Sequence, residues 1–262
     1  MKLIIAVSML VLFSCKTEEK KETIAMQGAY NMLSQTMNDG TKDSSFSGSK
    51  QLKMFTDDYM MYVFMNTADS ASGFGIGTYT ADTSGVVENV IYNAADSSKN
   101  DSPSSFTLVI EKTPKGYKQV IPEIITRSGN KIKLTEEYES VGTSAKSALD
   151  GAWKQIKGYN VKGKDSITRT GTQYKIYAAG HFMFGNTYAD STNKLHTGIG
   201  YGTFEMMGTN KVKENVTVST YYQIRGKSFE IDITLKGADE FTQTITDTDG
   251  TKNIEVYQRL KK

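Results

Sequence analysis

The chain repeats itself, and the repeat constrains what it can fold into. Gly28-Ala29-Tyr30 returns as Gly151-Ala152-Trp153, and LKMFTDDYMMY at 52–62 returns as YKIYAAGHFMF at 174–184. Glu88-Asn89-Val90 matches Glu214-Asn215-Val216, FTLVIE at 106–111 matches FEIDIT at 229–234, and Glu137-Tyr138 matches Val256-Tyr257. The order never changes, and every separation lies between 119 and 126 residues. A unit of about 115 residues is domain-sized and far too long for a solenoid repeat. Two copies of one domain are therefore expected, over 24–141 and 148–262, joined by the small polar segment GTSAKS at 142–147.

Each copy reads as all-β. Residues 229–236 (FEIDITLK) alternate apolar and polar at period two, as a strand with one buried face must. Turn signals divide such segments: Ser84-Gly85, Ser128-Gly129-Asn130, Arg225-Gly226-Lys227 and Asp249-Gly250. The second copy yields eight strands, at 152–160, 172–178, 181–188, 197–207, 213–224, 228–236, 240–247 and 253–260, and the first copy yields the same number in the same order. Of the three prolines, Pro122 marks an edge or a bulge. Eight sequential strands joined by hairpins predict two tandem eight-stranded antiparallel up-and-down barrels, which close on themselves and leave no open edge. A β-sandwich is the alternative.

Two glycine rows fall in matching places. GFGIGTYT at 73–80 has Gly73, Gly75 and Gly77, and GIGYGTFE at 198–205 has Gly198, Gly200 and Gly202. Neither row has the strand–loop–helix context that a phosphate-cradling loop requires. Each runs into β-branched and aromatic residues, so a bend or a close backbone approach is the better expectation.

The N-terminus, MKLIIAVSMLVLFSC, carries one positive residue and then an apolar run over Leu3–Phe13, too short to span a bilayer permanently. It ends at Leu12-Phe13-Ser14-Cys15, which resembles the lipobox of bacterial lipoproteins. That resemblance implies a signal peptide over 1–14, acylation of Cys15, and a polar tether over 15–23. The protein would then be an outer-membrane lipoprotein of the cell envelope, on its periplasmic or surface-exposed face, held to the membrane through its N-terminal lipid. Cys15 is the only cysteine, so no disulfide framework exists. A net charge of +2 gives no reason to expect nucleic acid as a partner.

Gly151-Ala152-Trp153 on the first strand of the second copy, with Arg259 in its last strand (VYQRL), resembles the calycin signature of lipocalins and fatty-acid-binding proteins. The order of motifs is also similar to that of lipocalin-like domains in bacterial secreted proteins. The resemblance implies that Trp153 closes the barrel floor and Arg259 packs across it, a guanidinium stacking on an indole face. The first copy departs from the pattern, with Tyr30 for the tryptophan and Ser140 where Arg259 stands.

No catalytic constellation is visible. Only two histidines exist; His181 is Tyr59 in the first copy, and no nucleophile–base–orienter set assembles around it. Metal binding by cysteine and histidine is excluded by the counts, and no cofactor is expected. Twelve methionines, 15 tyrosines and 11 phenylalanines remain to be placed. They are either packed core or the lining of a cavity for a small hydrophobic ligand. On the second view, alternation along 181–184 puts His181 and Met183 on one face, and that face is expected to point inward, matched by Tyr59 and Met61, with Tyr79 and Phe204 joining from the glycine-row strands. Three functions stay open: a lipid-anchored binding protein, a structural or adhesive surface protein with filled barrels, and a barrel-cavity enzyme of isomerase or hydrolase type.

Overall fold

A computed structural model describes residues 24–46, 49–67, 71–94, 104–126, 128–142 and 144–262. Cys15 and the segments before Ile24 lie outside them. The first half runs through β1 (Gly28–Asn38), β2 (Asp43–Phe46), β3 (Ser49–Phe55), β4 (Tyr59–Asn66), β5 (Ser72–Asp82), β6 (Gly85–Asn93), β7 (Ser104–Lys112), β8 (Gly116–Ile125) and β9 (Lys131–Gly142). The second half repeats the series: β10 (Gly151–Lys162), β11 (Asp165–Thr168), β12 (Thr172–Ala178), β13 (His181–Ala189), β14 (Leu195–Met206), β15 (Lys211–Ser219), β16 (Ser228–Lys236), β17 (Glu240–Thr246) and β18 (Lys252–Arg259).

Both sheets are antiparallel meanders that close, β1 on β9 and β10 on β18. The result is two eight-stranded barrels in tandem, an architecture compatible with a lipocalin-like fold. The sandwich alternative falls away because closure leaves no pair of separate sheets. Each barrel also carries a short ninth strand, β2 or β11, folded back on the far end of its first strand. Residues 220–224, expected as strand, instead turn after β15 ends at Ser219. Pro122 falls where the β8–β9 register shifts between Ile121 and Ile124, since proline cannot donate to the ladder.

The apolar residues described form three clusters. One fills the lower part of the first barrel around Phe55, Met60, Tyr79, Leu108, Tyr117 and Tyr138. Its counterpart in the second barrel centres on Trp153, Tyr177, Phe182, Phe204, Phe241 and Tyr257. The third lies between the barrels, where the outer faces of β3–β5 meet those of β12–β14. Met54, Met61, Val63, Phe74 and Ile76 pack there against Ile176, Met183, Ile199 and Val218. At its centre the Phe74 ring lies so close to Gly185 that a Cβ at residue 185 would overlap it. Tyr92 reaches across as well, its hydroxyl hydrogen-bonded to that of Thr187 and its ring 5.3 Å from Tyr174.

Candidate functional site

Each barrel is packed at one end and hollow toward the other. The packed end of the second barrel is built on Trp153, fully buried on β10. Its indole nitrogen donates to the Leu149 carbonyl at 2.8 Å, and the Arg259 guanidinium lies over the ring, 4.0 Å from its centroid. Arg259 spends its donors on the carbonyls of Asp150 (2.6 Å), Ala238 (2.7 Å) and Ala148 (3.2 Å), and burial lowers its pKa. Gly151 has φ +141°, and a Cβ there would run into the guanidinium, so glycine is required beside this stack. In the first barrel Tyr30 pairs in register with Ser140, as Trp153 does with Arg259. The floor there is aromatic only, with Tyr30 edge-on to Tyr117 at 4.9 Å.

Above each floor sits a cavity, about 340 Å³ in the first barrel and about 370 Å³ in the second. The base of each is a polar network in the interior, built from matching residues of the two copies. In the first barrel Lys53 Nζ lies 2.6 Å from Glu88 Oε1 and donates to Gln119 Oε1 at 3.1 Å. Gln119 and the Tyr138 hydroxyl then donate to Glu136 Oε2 at 2.5 and 2.9 Å, while Gln35 donates to Glu136 Oε1 at 2.7 Å. In the second barrel Lys175 lies 2.6 Å from Glu214 and 3.0 Å from Gln243 Oε1. Gln243 and Tyr257 both reach Glu255 Oε2 at 2.6 Å, and Gln173 donates to Tyr257 and to Glu255. Burial, and then the adjoining carboxylates, push the Tyr138 and Tyr257 phenols well above the usual range, so both keep their protons and act as donors.

The walls above are apolar: Phe64, Phe106, Ile121 and Leu134 in the first barrel, Phe184, Phe229 and Ile231 in the second. The glycine rows shape these walls. A Cβ on Gly73 or Gly75 would come within 2.7 or 2.6 Å of the Phe64 or Tyr62 ring. The rings therefore lie flat on bare backbone and leave space beside them. Gly200 serves Phe184 in the same way. Gly77 and Gly202 instead back onto the neighbouring strand where the register shifts, between Ile76 and Gly77 and between Tyr201 and Gly202, and so bend the wall.

The inward face expected from the sequence is corrected. Tyr59, Met61 and Met183 belong to the cluster between the barrels, and the Tyr59 hydroxyl donates to the Lys261 carbonyl at 2.8 Å. His181 is half-buried near the joint, its Nδ1 3.1 Å from the Ala179 carbonyl oxygen. The opposite face, Met60 and Phe182, is the inward one. Strands β4 and β13 are apolar on both sides because one side lines a barrel and the other lines the seam. Tyr79 and Phe204 do point inward but belong to the packed end, with Tyr79 5.0 Å from Phe55 and Phe204 4.8 Å from Tyr177. Neither is among the described residues that line the two interior cavities.

Reasoning from sequence missed Gln51, Gln119, Glu136 and their counterparts Gln173, Gln243 and Glu255. The available signal was the lysine repeated inside an apolar run, LKMF and YKIY, and the glutamate repeated in ENV. A charge kept in the middle of a buried strand in both copies needs buried partners. By residue type the networks offer general acids and bases. In place, however, each lysine is held by a glutamate and a glutamine, and Glu136 and Glu255 each receive at least three donors, so the arrangement suits recognition of a polar group rather than proton transfer. A wider groove of about 590 Å³ runs between the barrels beside the joint. It is crossed by the exposed Lys146–Asp57 pair, and its lining mixes Phe55, Tyr59 and Leu260 with Asp58, Asp150 and Arg259. No protein-family model matches the chain, and a search of curated proteins finds no match either.

Proposed function

We propose that the protein is a lipid-anchored cell-envelope binding protein whose barrels hold small apolar or amphipathic ligands. The observation that carries this reading is the pair of interior cavities, each with a polar base and aromatic or aliphatic walls. Small-molecule sites have this composition: mostly apolar, with a few convergent polar groups that fix orientation. The lipocalin-like closure of both barrels and the Trp153–Arg259 stack support the calycin resemblance. Acylation of Cys15 supplies the membrane attachment in this reading.

The cavity is tested by titration with neutral N-phenylnaphthylamine, whose fluorescence rises in apolar surroundings. Saturable binding is expected in the unmodified protein. Val90→Trp and Val216→Trp, one in each cavity wall, should together abolish it. No binding by the unmodified protein, or unchanged binding by the double variant, removes the reading. The anchor is tested by Cys15→Ala, which should leave the protein in the soluble fraction or leave the precursor uncleaved. Normal cleavage and membrane fractionation of that variant would refute lipidation.

A further inference from the structure

We infer that the first barrel prefers a ligand with an organic cation at its head, a primary or quaternary ammonium on a short apolar body. This preference presupposes that the barrels carry ligands, the reading given above. The two networks differ in one decisive partner. Glu255 Oε1 receives the guanidinium of Arg169 at 2.6 Å, whereas among the described residues Glu136 Oε1 receives only the neutral amide of Gln35, at 2.7 Å. The base of the second cavity thus sets Lys175 and Arg169 against Glu214 and Glu255. Among the described residues, the base of the first sets Lys53 alone against Glu88 and Glu136. The remaining acidic residue of the second cavity, Asp247, is exposed at its mouth and is bound by Asn253 at 2.8 Å.

A second observation points the same way. Glu88 is 4 % exposed and lines the first cavity, and no hydroxyl or amide among the described residues donates to its Oε1. Lys53 Nζ, 2.6 Å away, is its ion-pair partner. In the second barrel the Tyr177 hydroxyl donates to Glu214 at 2.5 Å; the matching residue in the first is Phe55. Carboxylates withdrawn from water without matched charge are strongly unfavourable, and a cation entering the cavity would supply what Arg169 supplies next door. Phe46, Phe64, Phe106 and Tyr62 line the same cavity, and aromatic faces attract ammonium groups. At about 340 Å³ the space lies at the small end of ligand cavities, roughly 300–1,000 Å³, so the apolar body must be short.

The test is calorimetric titration of the full protein with octyltrimethylammonium, octyl sulfate and octanol, which share one chain and differ in head group. The cation should bind about tenfold or more tightly than the sulfate. Gln35→Arg places a guanidinium where the first barrel lacks one and should bring that ratio to about one; Glu136→Gln should do the same by removing the charge. Conversely, Arg169→Gln should raise the number of cation sites from one to two. Binding of octanol with no preference for the cation, or with a preference for the sulfate, overturns the head-group assignment while leaving the cavity reading intact. Failure of all three to bind overturns both.

Discussion

The two barrels share strand order, register and the core of a buried polar network, yet they are finished differently at both ends. The second barrel closes its floor with a tryptophan and an arginine, and balances its interior glutamate with another arginine. The first has tyrosine and serine at the floor and glutamine at the glutamate. Duplication preserved the frame and let the electrostatics of the interiors diverge. Strand pairing depends on backbone and alternation, which tolerate many side chains. A buried charge depends on one or two specific partners, so a single substitution changes what the cavity can accept.

The floors should show the largest difference. Trp153→Ala removes a fully buried indole, its hydrogen bond to Leu149 and the surface on which Arg259 stacks, and should cost about 3–5 kcal/mol. Tyr30 is half-buried, and its hydroxyl reaches the Gln27 carbonyl only at 3.5 Å. Tyr30→Ala should cost less, about 1–3 kcal/mol. Denaturant unfolding of both variants measures the gap, and equal losses would show that the two floors are energetically alike.

The lysines come next. Lys53→Met leaves Glu88 without its charged partner among the described residues and should cost about 3–5 kcal/mol. Lys175→Met leaves Glu214 with the Tyr177 hydroxyl, a hydrogen bond to a charged group worth roughly 1.5–3 kcal/mol. The second variant should therefore be the milder by about that amount. If Lys175→Met proves the more damaging, the hydroxyl does not compensate and the interiors differ for another reason.

Most of the frame was legible in the sequence because period two and glycine turns report directly on strands and hairpins. Asp43–Phe46 and Asp165–Thr168 escaped because four residues such as DSSF and DSIT are too short to show alternation. Their pairing depends on the returning chain, which Gly163 allows at φ +59° in the second barrel. The site was harder. Alternation separates the two faces of β4 and β13 but does not say which is inward, and here both are apolar: Met61 and Met183 meet the other barrel while Met60 and Phe182 meet their own. Seam and interior are chemically alike at the level of single strands. Only the lysine beside them, Lys53 or Lys175, distinguishes the faces, since a buried lysine must find the glutamates across the barrel.

The smallest effect concerns a hydroxyl that occupies different strands in the two barrels. The second has Tyr177 on β12 and Phe241 on β17; the first has Phe55 on β3 and Tyr117 on β8. The Tyr177 hydroxyl finds Glu214, but the Tyr117 hydroxyl is buried without a partner among the described residues. Burial, then the charges of Glu88 and Glu136, raise its pKa well above the usual tyrosine value, so it stays protonated and its donor goes unused. An unsatisfied buried hydroxyl costs about 1–3 kcal/mol, and a satisfied one contributes about 0.5–1.5 kcal/mol. Tyr117→Phe should accordingly be neutral or stabilising, although it removes atoms from a well-packed core. Phe55→Tyr, which places a hydroxyl at the position of Tyr177, should add about 1 kcal/mol if it reaches Glu88. The double variant gives the first barrel the second barrel's arrangement, and its gain should match or exceed the sum of the two. A clear loss of stability on Tyr117→Phe would mean that the hydroxyl has a partner, and the difference between the interiors would then narrow to Arg169 and Gln35.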